Sequence, residues 1–381
     1  FEIIDSKKFY VEKINIVGNF QTIEKVIRNR VIVDEGDPLN ELLFNKSIDR
    51  IKSLGIFKKV DTSITDGSNN NLKIVDITVE EQPTGEISLA AGVGTSGSTI
   101  GGGITEKNFL GKGINLKTNL EVSDEKIKGK FVYSKPNFNY SENTLFTSLE
   151  SSNTDRIKDF GYETTNIGFS IGTKFEQYEN LFFSPEIDLA VEDLKTNSKA
   201  SSNLKKQAGN YEDLYFNYGL DYDLRNSPYK PSSGSKLSFY QKLPAISSNN
   251  EIKNTLVLTK YRKLDKETNM VGKASIFLSA VNSLDNSDVR ISKRVKMPYN
   301  RLRGFEKDKI GPKDGTDYVG GNYVTSINLS TNLPGVLSTM ENLDFSYFID
   351  IGNVWGVDYD SSADQSNFFR SSTGLGMDWL T

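Results

Sequence analysis

From Pro83 onward the helical signals disappear and apolar and polar side chains alternate every second residue, in segment after segment of about ten residues. In residues 114–122, Ile114, Leu116, Leu120 and Val122 oppose Asn115, Lys117, Asn119 and Glu121. In 164–175, Ile167, Phe169, Ile171 and Phe175 oppose Asn166, Gly168, Ser170 and Lys174. In 214–223, Leu214, Phe216, Tyr218, Leu220 and Tyr222 oppose Asn217, Gly219, Asp221 and Asp223. The clearest case is 343–355, where Leu343, Phe345, Tyr347, Ile349 and Ile351 alternate with Asp344, Ser346, Asp350 and Gly352. Successive side chains of a strand point to opposite faces, so each segment has one apolar and one polar face.

About fourteen such segments follow one another. Short connections (108–113, 135–143, 265–269) alternate with long ones (195–210, 284–319, 356–368). A tilted strand crosses a bilayer in roughly ten residues, and short turns on one side with long loops on the other are the pattern of a transmembrane antiparallel β-barrel. A soluble β-sandwich also alternates. Strand number, strand length and loop asymmetry together favour the barrel.

Composition limits the chemistry. Mean hydropathy is -0.45, which decides nothing, because alternating strands stay polar on average even in lipid. No stretch of roughly 18 to 20 apolar residues is present, and no charged-then-apolar signal segment opens the chain. A net charge of -4 in 381 residues gives no electrostatic case for nucleic acid. Cysteine and histidine are both absent. That removes disulfides, thiol catalysis, the common transition-metal ligands and the usual general base. The expectation is no enzyme, no cofactor and no metal. The opening Phe1-Glu2-Ile3-Ile4 reads as a piece of something longer.

Residues 1–81 follow a different pattern and read as a separate small module, with the barrel occupying 82–381. A strand over 10–17 leads through Gly18-Asn19 to Thr22, placed to cap a helix over 23–31. Asp37-Pro38 reads as an N-cap with proline at the first helical position of a second helix over 39–54. Its expected apolar face is Leu39, Leu42, Leu43, Ile48 and Ile51, and Gly55 supplies the stop. Strands over 58–65 and 72–81 complete a β-α-α-β-β order.

Three constellations stand out after that. Gly92-Val93-Gly94-Thr95-Ser96-Gly97 has dinucleotide-fingerprint spacing, but no helix follows to hold a pyrophosphate. With Gly101–Gly103 it reads instead as hairpin material between the first two strands. Lys293, Arg294 and Lys296, and the scatter Asp358, Asp360 and Asp364, read as solvated loop charge. Leu302-Arg303-Gly304-Phe305 lies in the longest loop, ahead of Ile310-Gly311-Pro312 and Gly320-Gly321-Asn322. An Arg-Gly-Phe triplet alone arises by chance in about one chain in twenty of this length. Alternation adds a partner: with the apolar set of 343–355 on the lipid side, Asp350 points inward, where an arginine of a folded-in loop could meet it.

Together these residues resemble the BamA-type assembly factors of Gram-negative outer membranes, over essentially the whole chain. The first 81 residues look like a polypeptide-transport-associated (POTRA) domain, through Val17-Gly18-Asn19 with Thr22 and Leu54-Gly55-Ile56-Phe57 with Val60. The stretch from Leu302 to Phe305, with its spacing to Ile310-Gly311-Pro312, looks like the signature of the family's sixth extracellular loop. The resemblance implies about sixteen strands, of which about fourteen are present. It also implies a lateral seam between first and last strands that opens and templates a client's strand by β-augmentation. The seam strand would span 85–94 with Ile87, Leu89, Ala91, Gly92 and Gly94, its glycines weakening the outer part.

Carried over residue by residue, Arg303 would anchor the loop with Leu302, Gly304, Phe305, Ile310, Gly311 and Pro312, and Asp350 would be one acidic partner. The family's second acid aligns with Ser330, a departure from the pattern. A single POTRA-like module is a second departure. A third is the lack of the last strands, which would close the seam, so a fragment of a longer chain is expected. The implied location is the outer membrane with the N-terminal domain in the periplasm. The implied partners are unfolded outer-membrane protein clients, accessory lipoproteins of the assembly complex and outer-membrane lipid. The alternatives are a two-partner secretion transporter, which shares this architecture, and a passive porin, which has no use for a periplasmic module.

Overall fold

A computed structural model describes residues 8–381 except 95–96, 159, 229, 249, 266, 286, 307, 316, 335–342, 359–367 and 380–381. The chain forms two compact units: residues 1–90, 101–120 and 130–147 in the first, and 91–100, 121–129 and 148–381 in the second.

The N-terminal elements are β1 (Tyr10–Val17), α1 (Glu24–Arg28), α2 (Glu41–Lys52), β2 (Phe57–Asp66) and β3 (Leu72–Glu81). β3 is the central strand, parallel to β1 and antiparallel to β2. The core takes Val11 and Ile14 from β1, Ile27 from α1, Phe44, Ile48 and Ile51 from α2, and Val75, Ile77 and Val79 from β3. Burying each such side chain contributes about 1.5 to 3 kcal/mol. The β-α-α-β-β order is as expected, but both helix starts differ from the expectation. Thr22 caps nothing: its hydroxyl accepts a 2.8 Å bond from Asn108 Nδ2, its amide donates to Glu81, and α1 begins after Ile23 without a side-chain cap. The cap of α2 is Asn40, whose Oδ1 accepts from the amides of Leu42 and Leu43. Asp37 lies in a bend and Pro38 in a bridge, because Val11 and Leu39 bond across to Asp37 and Phe9 and Tyr10 bridges Pro38. With the start delayed, the buried face becomes Phe44, Ser47, Ile48 and Ile51, and Leu42 is left 81% exposed.

The remaining strands are β4 (Gly85–Gly94), β5 (Gly97–Phe109), β6 (Ile114–Ser123), β7 (Lys126–Lys135), β8 (Thr144–Arg156), β9 (Tyr162–Tyr178), β10 (Leu181–Thr196), β11 (Gly209–Asp223), β12 (Gly234–Ser247), β13 (Glu251–Lys263) and β14 (Val271–Ser283). A two-residue hairpin pair, β15 (Lys313–Asp314) and β16 (Asp317–Tyr318), lies in the long loop before β17 (Tyr323–Asn332), β18 (Leu343–Trp355) and β19 (Arg370–Trp379). A short helix α3 (Ser202–Lys206) sits between β10 and β11. β4 to β14 and β17 to β19 form one 14-stranded sheet in chain order, with β4 at one edge and β19 at the other. Gly101–Gly103 lie inside β5 and not in a turn. A Cβ on Gly103 would come within 2.9 Å of Asn119 Oδ1 and Ser88 Oγ, so the glycine lets its neighbours' polar side chains sit across it. The tip at 95–96 is outside the described residues.

The sheet is polar on the inside and apolar on the outside. Ile167, Phe169, Ile187, Leu189 and Val191 are 44–53% exposed, while the facing set buries Ser170, Glu192, Asp213, Asp221, Ser275 and Ser326. Such an apolar exterior suits lipid and no aqueous surface. On that exterior Phe175, Phe183, Tyr218 and Phe239 form a row across β9 to β12 with centroids 5.7 to 6.1 Å apart, an aromatic girdle of the membrane-interface kind.

Candidate functional site

Residues 284–322, between β14 and β17, turn back against the polar face of the sheet. Val289, Val295, Met297, Leu302 and Ile310 of this loop bury a cluster with Val281, Val324 and Val354 of the strands. Leu302 is 2% exposed. Gly311 has φ +109°, and a Cβ there would lie 2.9 Å from the Val354 side chain, so a larger residue would push the loop off β18. Pro312 is buried and its carbonyl accepts from the Val319 amide.

Leu302 directs Arg303 toward β18. Arg303 Nε and Nη2 donate side-on to the two oxygens of Asp350 at 2.7 and 2.8 Å, and its backbone amide adds a third bond at 3.1 Å. The guanidinium lies 3.5 Å over the Phe348 ring, a cation-π contact from the same strand. Asp350 is fully buried, and its fourth donor is Asn328 Nδ2 at 2.8 Å. The residue beside Asp350 on the preceding strand is therefore Asn328; Ser330 is opposite Phe348. A neutral amide here donates to the acid and also holds the loop through the Arg301 carbonyl, so among the described residues the site has one carboxylate and not two. Gly304 and Phe305 follow at the exposed side.

A second, deeper cluster had no counterpart in the sequence reading. Arg290 is fully buried among Asp213 of β11 (2.5 Å), Glu251 of β13 (3.5 Å) and Glu192 of β10 (3.6 Å). Its guanidinium lies 4.2 Å over the Tyr211 ring. Burial works against the Arg290 charge, and the three carboxylates outweigh it, holding the pKa above its ordinary value. The basic run is part of this network, which corrects the reading of solvated loop charge. Lys293 pairs with Glu192 at 3.1 Å, buried Arg294 pairs with Asp358 at 3.1 Å, and Lys296 approaches Asp308 at 3.7 Å. Asp358 also accepts from Asn322 and the Val289 amide; Asp360 and Asp364 are outside the described residues. Arg156 of β8 reaches Asp308 as well. The signal available in the sequence was three carboxylates at inward positions near the loop ends of β10, β11 and β13.

The seam candidates lie elsewhere. On edge strand β4, Ile87 and Leu89 are 79% and 86% exposed, Ala91 and Gly92 are exposed, and Gly94 ends the strand. Among the described residues no group of three potential metal ligands occurs. The arrangement can clamp a loop and offer a strand edge.

Residues 108–381 match the Omp85 superfamily domain, and residues 9–82 match the POTRA family described as a surface antigen variable number repeat. The chain belongs to the Omp85 superfamily. An Omp85 barrel of this kind is in the outer membrane, with its POTRA module in the periplasm. The outer membrane protein assembly factor BamA of Neorickettsia risticii is 24% identical over all of this chain and 52% of its own length. The Neisseria meningitidis BamA is 22% identical over 94% of this chain and 48% of its own. The chain thus spans about half the length of the curated relatives it matches. Among solved structures, the Haemophilus ducreyi BamA lacking POTRA domains 1-3 superposes with a TM-score of 0.77 at 22% identity, covering 98% of this chain and 79% of that one. The Acinetobacter baumannii CdiB follows at 0.64 and 10%, covering 98% and 68%. Both show a shared fold.

Proposed function

We propose that this chain is the barrel and adjoining POTRA domain of an outer-membrane protein assembly factor, which folds and inserts β-barrel clients by templating their strands at a lateral seam. The carrying observation is β4, which is an edge of the sheet among the described residues: an edge strand with apolar outward side chains can accept a client strand by β-augmentation. Whole-chain similarity to curated BamA proteins supports this reading over export. So does the loop cluster packed against β14, β17 and β18, which fills space that a threaded polypeptide would need. In this reading Arg303 and Asp350 keep the loop seated while the seam works, accessory lipoproteins and unfolded barrel proteins are the partners, and no covalent step is required.

The test is reconstitution of the full-length protein into liposomes with an unfolded barrel client. Insertion should rise well above that in empty liposomes and should fall when Arg303→Ala unseats the loop. Polypeptide released into the lumen without inserted client would support the secretion reading and overturn this one.

A further inference from the structure

The outward face of β13, β14, β17 and β18 departs from the apolar pattern at one place. The ladder registers set Lys260, Ala274, Leu329 and Ile349 in one row across the four strands, and Arg262, Gly272, Thr331 and Tyr347 in the next. The row before them, from Leu258 through Ile276 and Ile327, is apolar and 39–43% exposed, so all three rows face the membrane. Gly272 and Ala274 carry almost no side chain, so a trough opens over β14, with a volume of about 450 Å³. Leu264 closes one end against Gly272, where a Cβ would meet its side chain at about 3.0 Å. Ile276 stands at the other end.

Lys260 and Arg262 form the β13 rim, and both are exposed. Neither has a carboxylate partner among the described residues, unlike Arg290, Arg294 and Arg303 on the polar face. An unpaired cation on the lipid side of a barrel is unfavourable near mid-membrane and tolerated close to an interface. The strand direction supplies the interface. β4 leaves the periplasmic module, strands alternate in direction, and β13 is the tenth of the sheet, so it descends toward the periplasmic turn at 264–270.

We propose that this trough seats one anionic phospholipid of the periplasmic leaflet, an acyl chain lying over Gly272 and Ala274 and the phosphate held by Lys260 and Arg262. The phosphate is the counter-charge that the membrane offers at that level, and the apolar trough accepts the chain that comes with it. An apolar segment of a membrane protein would use the trough but leave both cations unmatched.

The test is native mass spectrometry of the full-length protein from micelles doped equally with phosphatidylglycerol and phosphatidylcholine. The wild type should retain phosphatidylglycerol preferentially. Lys260→Gln and Arg262→Gln should each lower that preference about fivefold, and the double variant about 25-fold. Lys205→Gln/Lys206→Gln on α3, which removes the same charge elsewhere, should leave it unchanged. Ala274→Phe fills the trough with both cations intact and should lower retention of phosphatidylglycerol. Each variant's fold is checked by heat-modifiable migration, and the two single variants provide independent readings. An unchanged preference in the double variant, an equal loss in the α3 control, or full retention by Ala274→Phe would each overturn the proposal.

Discussion

The two arginine sites differ in how much each side chain has given up to water, and that difference ranks them. Arg303 keeps a side-chain exposure of 36%, while Asp350 opposite it has none. Arg303→Ala leaves Asp350 with the Asn328 amide and the backbone N–H of residue 303. The expected loss is about 1 to 3 kcal/mol of barrel stability. Arg290→Ala leaves Asp213, Glu251 and Glu192 buried together, with Lys293 the remaining cation beside them. That should cost about 3 to 5 kcal/mol, the range for a broken buried pair. Urea unfolding in detergent measures both, and a larger midpoint shift for Arg303→Ala would contradict the ranking. Asp350 was legible because a two-residue period fixes which face a residue takes. Arg290 was not, since its partners come from three strands whose relative registers no single segment encodes. Asn328 was missed for the same reason, a two-residue difference in alignment along β17.

At the scale of elements, strand existence was plain in the sequence and helix starts were not. A strand announces itself by its own alternation. The start of α2 depends on whether Asp37 and Pro38 are already held beside β1, which is a tertiary fact. The same holds at the end of β3. The Glu81 carboxylate accepts from the backbone amides of Phe20, Gln21 and Thr22, fastening the turn before α1. Desolvation pushes this carboxyl up, but the bonds from Thr22, Gln21 and Phe20 outweigh it, so its pKa lies below the ordinary value. A depressed carboxyl pKa adds stability above the unfolded value of about 4.3, and that stability is lost as pH falls through the lower folded value. Glu81→Gln should therefore destabilise the POTRA module at pH 7 and converge with the wild type in acid. Thermal melts followed by circular dichroism between pH 7 and pH 3 should show the gap closing; a gap that stays constant with pH would disprove the assignment.

For the whole molecule, the loss of helical signals beyond Pro83 was legible, because each strand that follows carries its own alternation. How the long loop is seated was not, because it depends on contacts among residues far apart in the chain. The described ties run from this loop to Arg156 on β8, Glu192 on β10, Asp213 on β11, Glu251 on β13 and Asp350 on β18. A loop held at so many points should resist a protease that reaches it only from outside. In liposomes, trypsin added externally should spare residues 284–322 of the wild type and cut them in the Arg290→Ala/Arg303→Ala double variant. Equal cutting of both would show that the ties do not hold the loop in place.

Those ties act on the wall like strings on a bow. A curved strip of sheet keeps its bend when chords join distant points on its inner side, and here the chords span β8 to β18. Across that arc a change of radius requires one of these charge pairs to come apart. A change in circumference would then cost least in the strands beyond the arc, which none of these ties reaches.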